Sequence, residues 1–228
     1  MNVQDNYQTI RSNIDNICRR TGRDPDEINV IAVTKYVGID RAEAAIEAGV
    51  RHLGENRDEG LKTKYQKLGD KAAWHFIGSL QTRRVKNIID KVEYIHSLDR
   101  ISLAKEIDKR ALGPMKCFIQ VNVSGEESKH GCSPQDLMSL VKAMRELPSI
   151  QVVGLMTMAP LTDDKDLIRT CFKQLKELQQ SVQAQHLPTV PCHELSMGMS
   201  NDYDIAIEEG ATFIRIGTSL VGNEIGGV

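Results

Sequence analysis

Eight short apolar segments alternate almost without interruption with helical segments, and this alternation constrains the 228-residue chain more than any other feature. The strand-like segments cover residues 28–35, 52–56, 73–78, 94–98, 117–123, 150–156, 193–197 and 212–217. Strands separated by helices imply parallel βαβ units, since parallel neighbours need a long crossover connection. Eight such units predict an α/β fold, a single (β/α)8 TIM-type barrel spanning residues 1–228 as one domain. An open doubly wound sheet is also compatible with the pattern, but the count of eight favours closure.

The helical signals fit this frame. Asp40 with Glu43 reads as a capping box, and Gly49 stands where a C-terminal cap belongs. Ser133-Pro134 offers an N-cap followed by proline at the first helical position. Leu167, Cys171, Leu175, Leu178 and Val182 form a stripe at helical spacing, which reads as core packing. An extra N-terminal helix carries Ile10, Ile14 and Ile17. No linker rich in Pro, Gly or Ser divides the chain.

The net charge of −2 is dispersed, which argues against nucleic acid or an anionic membrane as a partner. No window approaches the ~20 consecutive apolar residues of a membrane span. The N-terminus lacks the basic start and apolar stretch of a signal peptide, so a cytoplasmic protein is expected. Five scattered cysteines, none in C-x-x-C spacing, argue against structural disulfides and a zinc site.

In a barrel the functional residues sit at the carboxyl ends of the strands. Lys35 closes the first segment, where five of the seven preceding residues are apolar. A lysine partly desolvated there has a lowered pKa and suits Schiff-base chemistry; a solvated lysine at a strand exit is the equal alternative. Strands one and eight become neighbours on closure, so Lys35 faces the last two loops. Leu195-Ser196-Met197-Gly198-Met199-Ser200 and Gly217-Thr218 occupy those loops, where barrels often bind phosphate. Taken singly, Ser200 could be only an N-cap and Gly217 only a turn residue; together, beside Lys35, they favour an anion site. Arg215 lies in an otherwise apolar strand and needs either a salt-bridge partner or a ligand acceptor. His75 and Asn56 are weaker rim candidates, and Lys129 reads as a solvated loop lysine.

A strand-one lysine, a phosphate cup after strands seven and eight, and a buried arginine resemble the pyridoxal-phosphate barrel of the alanine racemase type. Ala32-Val33-Thr34-Lys35, Gly54-Glu55-Asn56, His75-Phe76-Ile77-Gly78-Ser79-Leu80-Gln81, Gly154-Leu155-Met156, Leu195 to Ser200 and Arg215-Ile216-Gly217-Thr218 are similar to one family. It is the pyridoxal phosphate homeostasis family (YggS/PROSC). The resemblance implies pyridoxal 5′-phosphate held as a Schiff base on Lys35. It also implies that Ser200, Gly217 and Thr218 bind the phosphate and that Arg215 faces the pyridine nitrogen. Asn56 lies near the ring by the same reading, with Ser196 and Met197 lining the pocket. Arg83-Arg84 and Val221-Gly222 depart from the family's usual Asn-Lys and Phe-Gly, away from the implied cofactor contacts.

Racemisation needs acid/base groups on both ring faces, which a second domain helps to supply in the racemases. Arginine opposite the pyridine nitrogen also disfavours its protonation and weakens the ring as an electron sink. The expected function is therefore a non-catalytic carrier in cofactor homeostasis, a monomer in transient contact with pyridoxal-phosphate enzymes. The alternatives are a racemase or decarboxylase of low activity, or a Schiff-base aldolase using Glu55 or Tyr36 as proton shuttle.

Overall fold

In the computed structural model, which describes residues 2–126 and 130–224, eight parallel strands close into a barrel in chain order. They are β1 (Asn29–Val33), β2 (His52–Glu55), β3 (Ala73–Phe76), β4 (Tyr94–Leu98), β5 (Met115–Gln120), β6 (Ile150–Met156), β7 (Glu194–Met199) and β8 (Phe213–Ile216). β8 pairs with β1, bringing Arg215 opposite Ile31 and completing the predicted (β/α)8 barrel. Lys129 lies outside the described residues.

The helices are α1 (Val3–Thr21), α2 (Ile39–Glu47), α3 (Asp58–Leu68), α4 (Val85–Ile88), α5 (Ile101–Arg110), α6 (Pro134–Ala143), α7 (Lys165–Gln183), α8 (Tyr203–Glu208) and α9 (Thr218–Val221). The extra helix α1 has a packing reason. α8 and α9 span only six and four residues and are too short to cover their side of the barrel. α1 lies across both, burying Val3, Ile10, Ile14, Ile17 and Cys18, while Asn6 Nδ2 donates to Leu220 O at 2.9 Å. It starts at Asn2, whose side chain accepts from Gln4 N–H, and stops at left-handed Gly22.

Two helix readings shift. Asp40 is not a capping residue: α2 begins at Ile39 behind Gly38, and no side chain caps it. Asp40 instead sits in the first turn, where its charge favours the helix N-terminus. On α7 Cys171, Leu175 and Val182 are buried as the stripe predicts, but at its start Ile168 is buried instead of Leu167, which is 47% exposed. Asp164 sets that start by accepting from Asp166 N–H and Leu167 N–H. Ser133 caps α6 as the sequence predicts.

The main core lies between strands and helices, as expected for parallel strands covered on the outside. A smaller cluster, Ile31, Phe118, Met156 and Phe213, fills the barrel interior with Tyr94 against it. The interior is otherwise polar: His75, His96, Ser196 and Arg215 are all buried within it. All five cysteines are buried, and burial pushes the Cys132 and Cys192 thiols up to about 12, leaving these two unreactive. Among the described residues no group of side chains has the makings of a metal site, and no helix is long and apolar enough to cross a membrane.

Candidate functional site

A cavity of about 890 Å³ opens at the carboxyl end of the barrel. Lys35, Asn56, Ser200, Arg215, Gly217 and Thr218 all line it, so closure gathers six residues from four separate segments. Lys35 lies two residues beyond β1, in the turn leading to α2, and is half-buried. Its Nζ stands 4.8 Å from the centroid of the Tyr36 ring.

A buried ion pair braces that turn. Glu55, at the end of β2, accepts from Thr34 Oγ1 at 2.6 Å and from Lys64 Nζ on α3 at 2.6 Å. Lys64 Nζ also donates to Thr34 O at 2.8 Å. The residue immediately before Lys35 is thus held through its side chain and its carbonyl. The same clamp commits Glu55, which is 1% exposed, and removes it as a proton shuttle for Lys35.

Arg215 projects into the barrel from β8. Its NH1 donates to Ser196 Oγ at 2.7 Å and its NH2 to Thr157 O at 2.9 Å. Among the described residues no carboxylate lies within ion-pair distance, and its Nε–H has no acceptor. Burial pushes the guanidinium down to about 10, opposed by the negative charge of Asp202. A buried cation without a carboxylate is costly unless something else justifies it. Of the two sequence expectations for Arg215, the salt bridge is not the one formed among the described residues.

The two candidate phosphate loops are tied to one another. Ser219 Oγ donates to Ser200 Oγ at 2.9 Å, joining the start of α9 to the loop after β7. Asp202 Oδ1 accepts from Met199 N–H at 2.5 Å and folds that loop back on itself. Burial raises the Asp202 carboxyl above its ordinary value, against the lowering effect of the Met199 N–H bond and of Arg215. Ser200 is not an N-cap, since α8 starts at Tyr203 behind Asp202.

Gly78, just past β3, allows the chain to pass Asn56. A Cβ there would stand 2.3 Å from Asn56 O and 2.8 Å from Asn56 Cα. Gly78→Ala is expected to cost about 1–3 kcal/mol and to displace Asn56 from the cavity wall. A urea melt, with Gly113→Ala as the control in open space, measures it.

Three residues sit elsewhere than the sequence suggests. Ser196 is behind Arg215 rather than on the cavity wall, and Met197 faces outward into the main core, because alternate residues of a strand face opposite ways. His75 is fully buried inside the barrel, below the rim. Gly222 borders the cavity, whereas Val221, the residue of that pair that departs, is buried in the main core and does not line it. Arg84 ion-pairs with Asp58, which also accepts from Asn87 Nδ2 at 2.7 Å, so this departure is a brace between α3 and α4. Sequence reasoning missed His96, Thr157, Asp202 and Lys64. His96 alone carried a signal, a histidine in the middle of a strand.

The model of the alanine racemase N-terminal domain family matches residues 6–224 of the chain. A pyridoxal phosphate homeostasis protein of Aquifex aeolicus is 40% identical over 226 residues, 97% of this chain and 98% of that protein. The namesake from Escherichia coli is 33% identical and covers 96% of each chain. Among solved structures, PipY of Synechococcus elongatus with PLP bound superposes with a TM-score of 0.84 at 31% identity, covering 96% of this chain and 100% of that one. Alanine racemase from Corynebacterium glutamicum shares the fold at 14% identity and a TM-score of 0.70, over 97% of this chain and 62% of that one. The chain belongs to the pyridoxal phosphate homeostasis protein family, built on the barrel of the alanine racemase N-terminal domain.

Proposed function

We propose that this chain is a carrier that binds pyridoxal 5′-phosphate and holds it as a Schiff base on Lys35, without catalytic turnover. The observation that carries the reading is Arg215: a buried guanidinium on the cavity wall, with no carboxylate within ion-pair distance among the described residues and an Nε–H free to donate. The remaining lining residues suit the other parts of the cofactor. Lys35 supplies the amine for its aldehyde. Ser200, Gly217 and Thr218 supply hydroxyl and backbone donors for its phosphate. Asn56 lies on the wall beside Lys35, while Ser196 contributes through Arg215 and Met197 through packing.

A bound pyridoxal ring supplies an electron sink for carbanions, most effectively when its nitrogen is protonated. Arg215 is a donor only, so it favours an unprotonated ring nitrogen and restrains that chemistry. The aldolase alternative also loses its carboxylate, because Glu55 is clamped by Thr34 and Lys64. We infer a monomer whose contacts with pyridoxal-phosphate enzymes are transient.

Equilibrium dialysis of purified protein with pyridoxal 5′-phosphate is expected to give one bound cofactor per chain, and the loaded protein to leave alanine enantiomers unconverted. No binding would overturn the carrier reading, and sustained racemisation would overturn its non-catalytic part.

A further inference from the structure

A continuous file of hydrogen bonds runs through the barrel behind Arg215. Ser196 Oγ lies 3.0 Å from His96 Nδ1, His96 Nε2 lies 2.8 Å from His75 Nδ1, and His75 Nε2 lies 2.9 Å from His52 Nδ1. With the Arg215 bond it links the cavity to the first residue of β2, at the opposite end of the barrel. The rings are held in place by their neighbours. His75 stacks on Tyr94 at 4.3 Å between centroids, and His96 stacks on Phe118 at 4.3 Å.

We propose that His96 and His75, through Ser196, are positioning residues for Arg215, forming a one-way relay that aims the guanidinium at the cofactor ring. This rests on the carrier reading for its last step only; the relay itself is a property of the chain without cofactor. Donor and acceptor capacities give the direction. Arginine can only donate, so Ser196 Oγ is an acceptor at the first bond. The hydroxyl proton then needs an acceptor of its own, and among the described residues His96 Nδ1 is the one in reach. His96 therefore carries its proton on Nε2 and donates to His75 Nδ1, and His75 carries its proton on Nε2 and donates to His52 Nδ1. The reverse order would leave a buried serine hydroxyl without an acceptor, at the full cost of desolvation. Both inner rings are fully buried, and burial holds them well below the ordinary histidine value, so each keeps a single proton. A file of aligned bonds in a low-dielectric interior strengthens each member, starting from the charged one.

The test uses the protein both without and with cofactor. In the cofactor-free protein at pH 7.5, long-range proton–nitrogen correlation spectra should show His75 and His96 as Nε2–H tautomers. An Nδ1–H tautomer at either ring overturns the relay, whether or not the protein binds pyridoxal phosphate. In binding titrations, His96→Leu should raise the dissociation constant for pyridoxal 5′-phosphate about tenfold, because Ser196 loses its acceptor and Arg215 its seat. His96→Asn, whose amide oxygen stands close to Nδ1, should stay within about threefold of the parent. Ser196→Ala gives a second route should His96→Leu fold poorly, with the same loss expected. In the loaded His96→Leu protein the nitrogen-15 shift of labelled cofactor should move toward the protonated ring. A ring shift unchanged in both variants would show that the histidines only fill space. Failure of the parent to bind cofactor would sink the carrier reading and leave the tautomer spectra to decide the relay.

Discussion

Lys64→Met should lower the unfolding free energy by about 3–5 kcal/mol, the usual consequence of removing one partner of a buried ion pair. The reason is local. Lys64 and Glu55 are 6% and 1% exposed, and their 2.6 Å contact neutralises a carboxylate that water cannot reach. Removing the ammonium leaves that charge, among the described residues, with only the Thr34 hydroxyl. Replacing both partners by apolar residues of similar size, Glu55→Leu with Lys64→Met, should cost less than Lys64→Met alone, because no charge then remains buried. Urea unfolding of the two single variants and the double variant gives the coupling. Additive losses would show that the pair is not the brace described here. The function should follow, since Thr34 loses a bond at its carbonyl and Lys35 is the next residue.

Arg215→Met should separate stability from binding. The guanidinium is buried with no carboxylate in ion-pair distance among the described residues, so methionine relieves a desolvation cost while giving up bonds to Ser196 and Thr157. These effects oppose one another, and the midpoint of thermal unfolding should move by only a few degrees. Affinity for pyridoxal 5′-phosphate should instead fall about 10- to 100-fold, the usual worth of a hydrogen bond from a charged donor. Calorimetric melting beside a binding titration checks both. A large loss of stability with unchanged affinity would make Arg215 a structural residue and remove the main support for the carrier reading.

The barrel was legible because its strands are short apolar runs with helices between them, and because β1 to β8 pair in chain order. Strand ends were less so. β1 was read through to Lys35, yet it stops at Val33, because Thr34 turns its side chain to Glu55, twenty-one positions away. Among the site residues, Lys35, Ser200, Gly217 and Thr218 could be placed because the barrel rule selects strand ends and the loops after them. Met197 faces the outer core because neighbouring strand positions point to opposite sides, while Ser196, on the inner side, lies behind Arg215. The histidine file was out of reach for a different reason. His52, His75 and His96 lie on three strands, and whether they meet depends on inter-strand register, which no local pattern encodes.

Borohydride reduction of the protein loaded with pyridoxal 5′-phosphate, followed by peptide mapping, tests the central claim most directly. A reduced pyridoxyl mass confined to Lys35, and absent from Lys35→Ala, is the expected result. The same mass on another lysine, or its persistence in Lys35→Ala, would contradict the assignment of Lys35 as the residue that holds the cofactor.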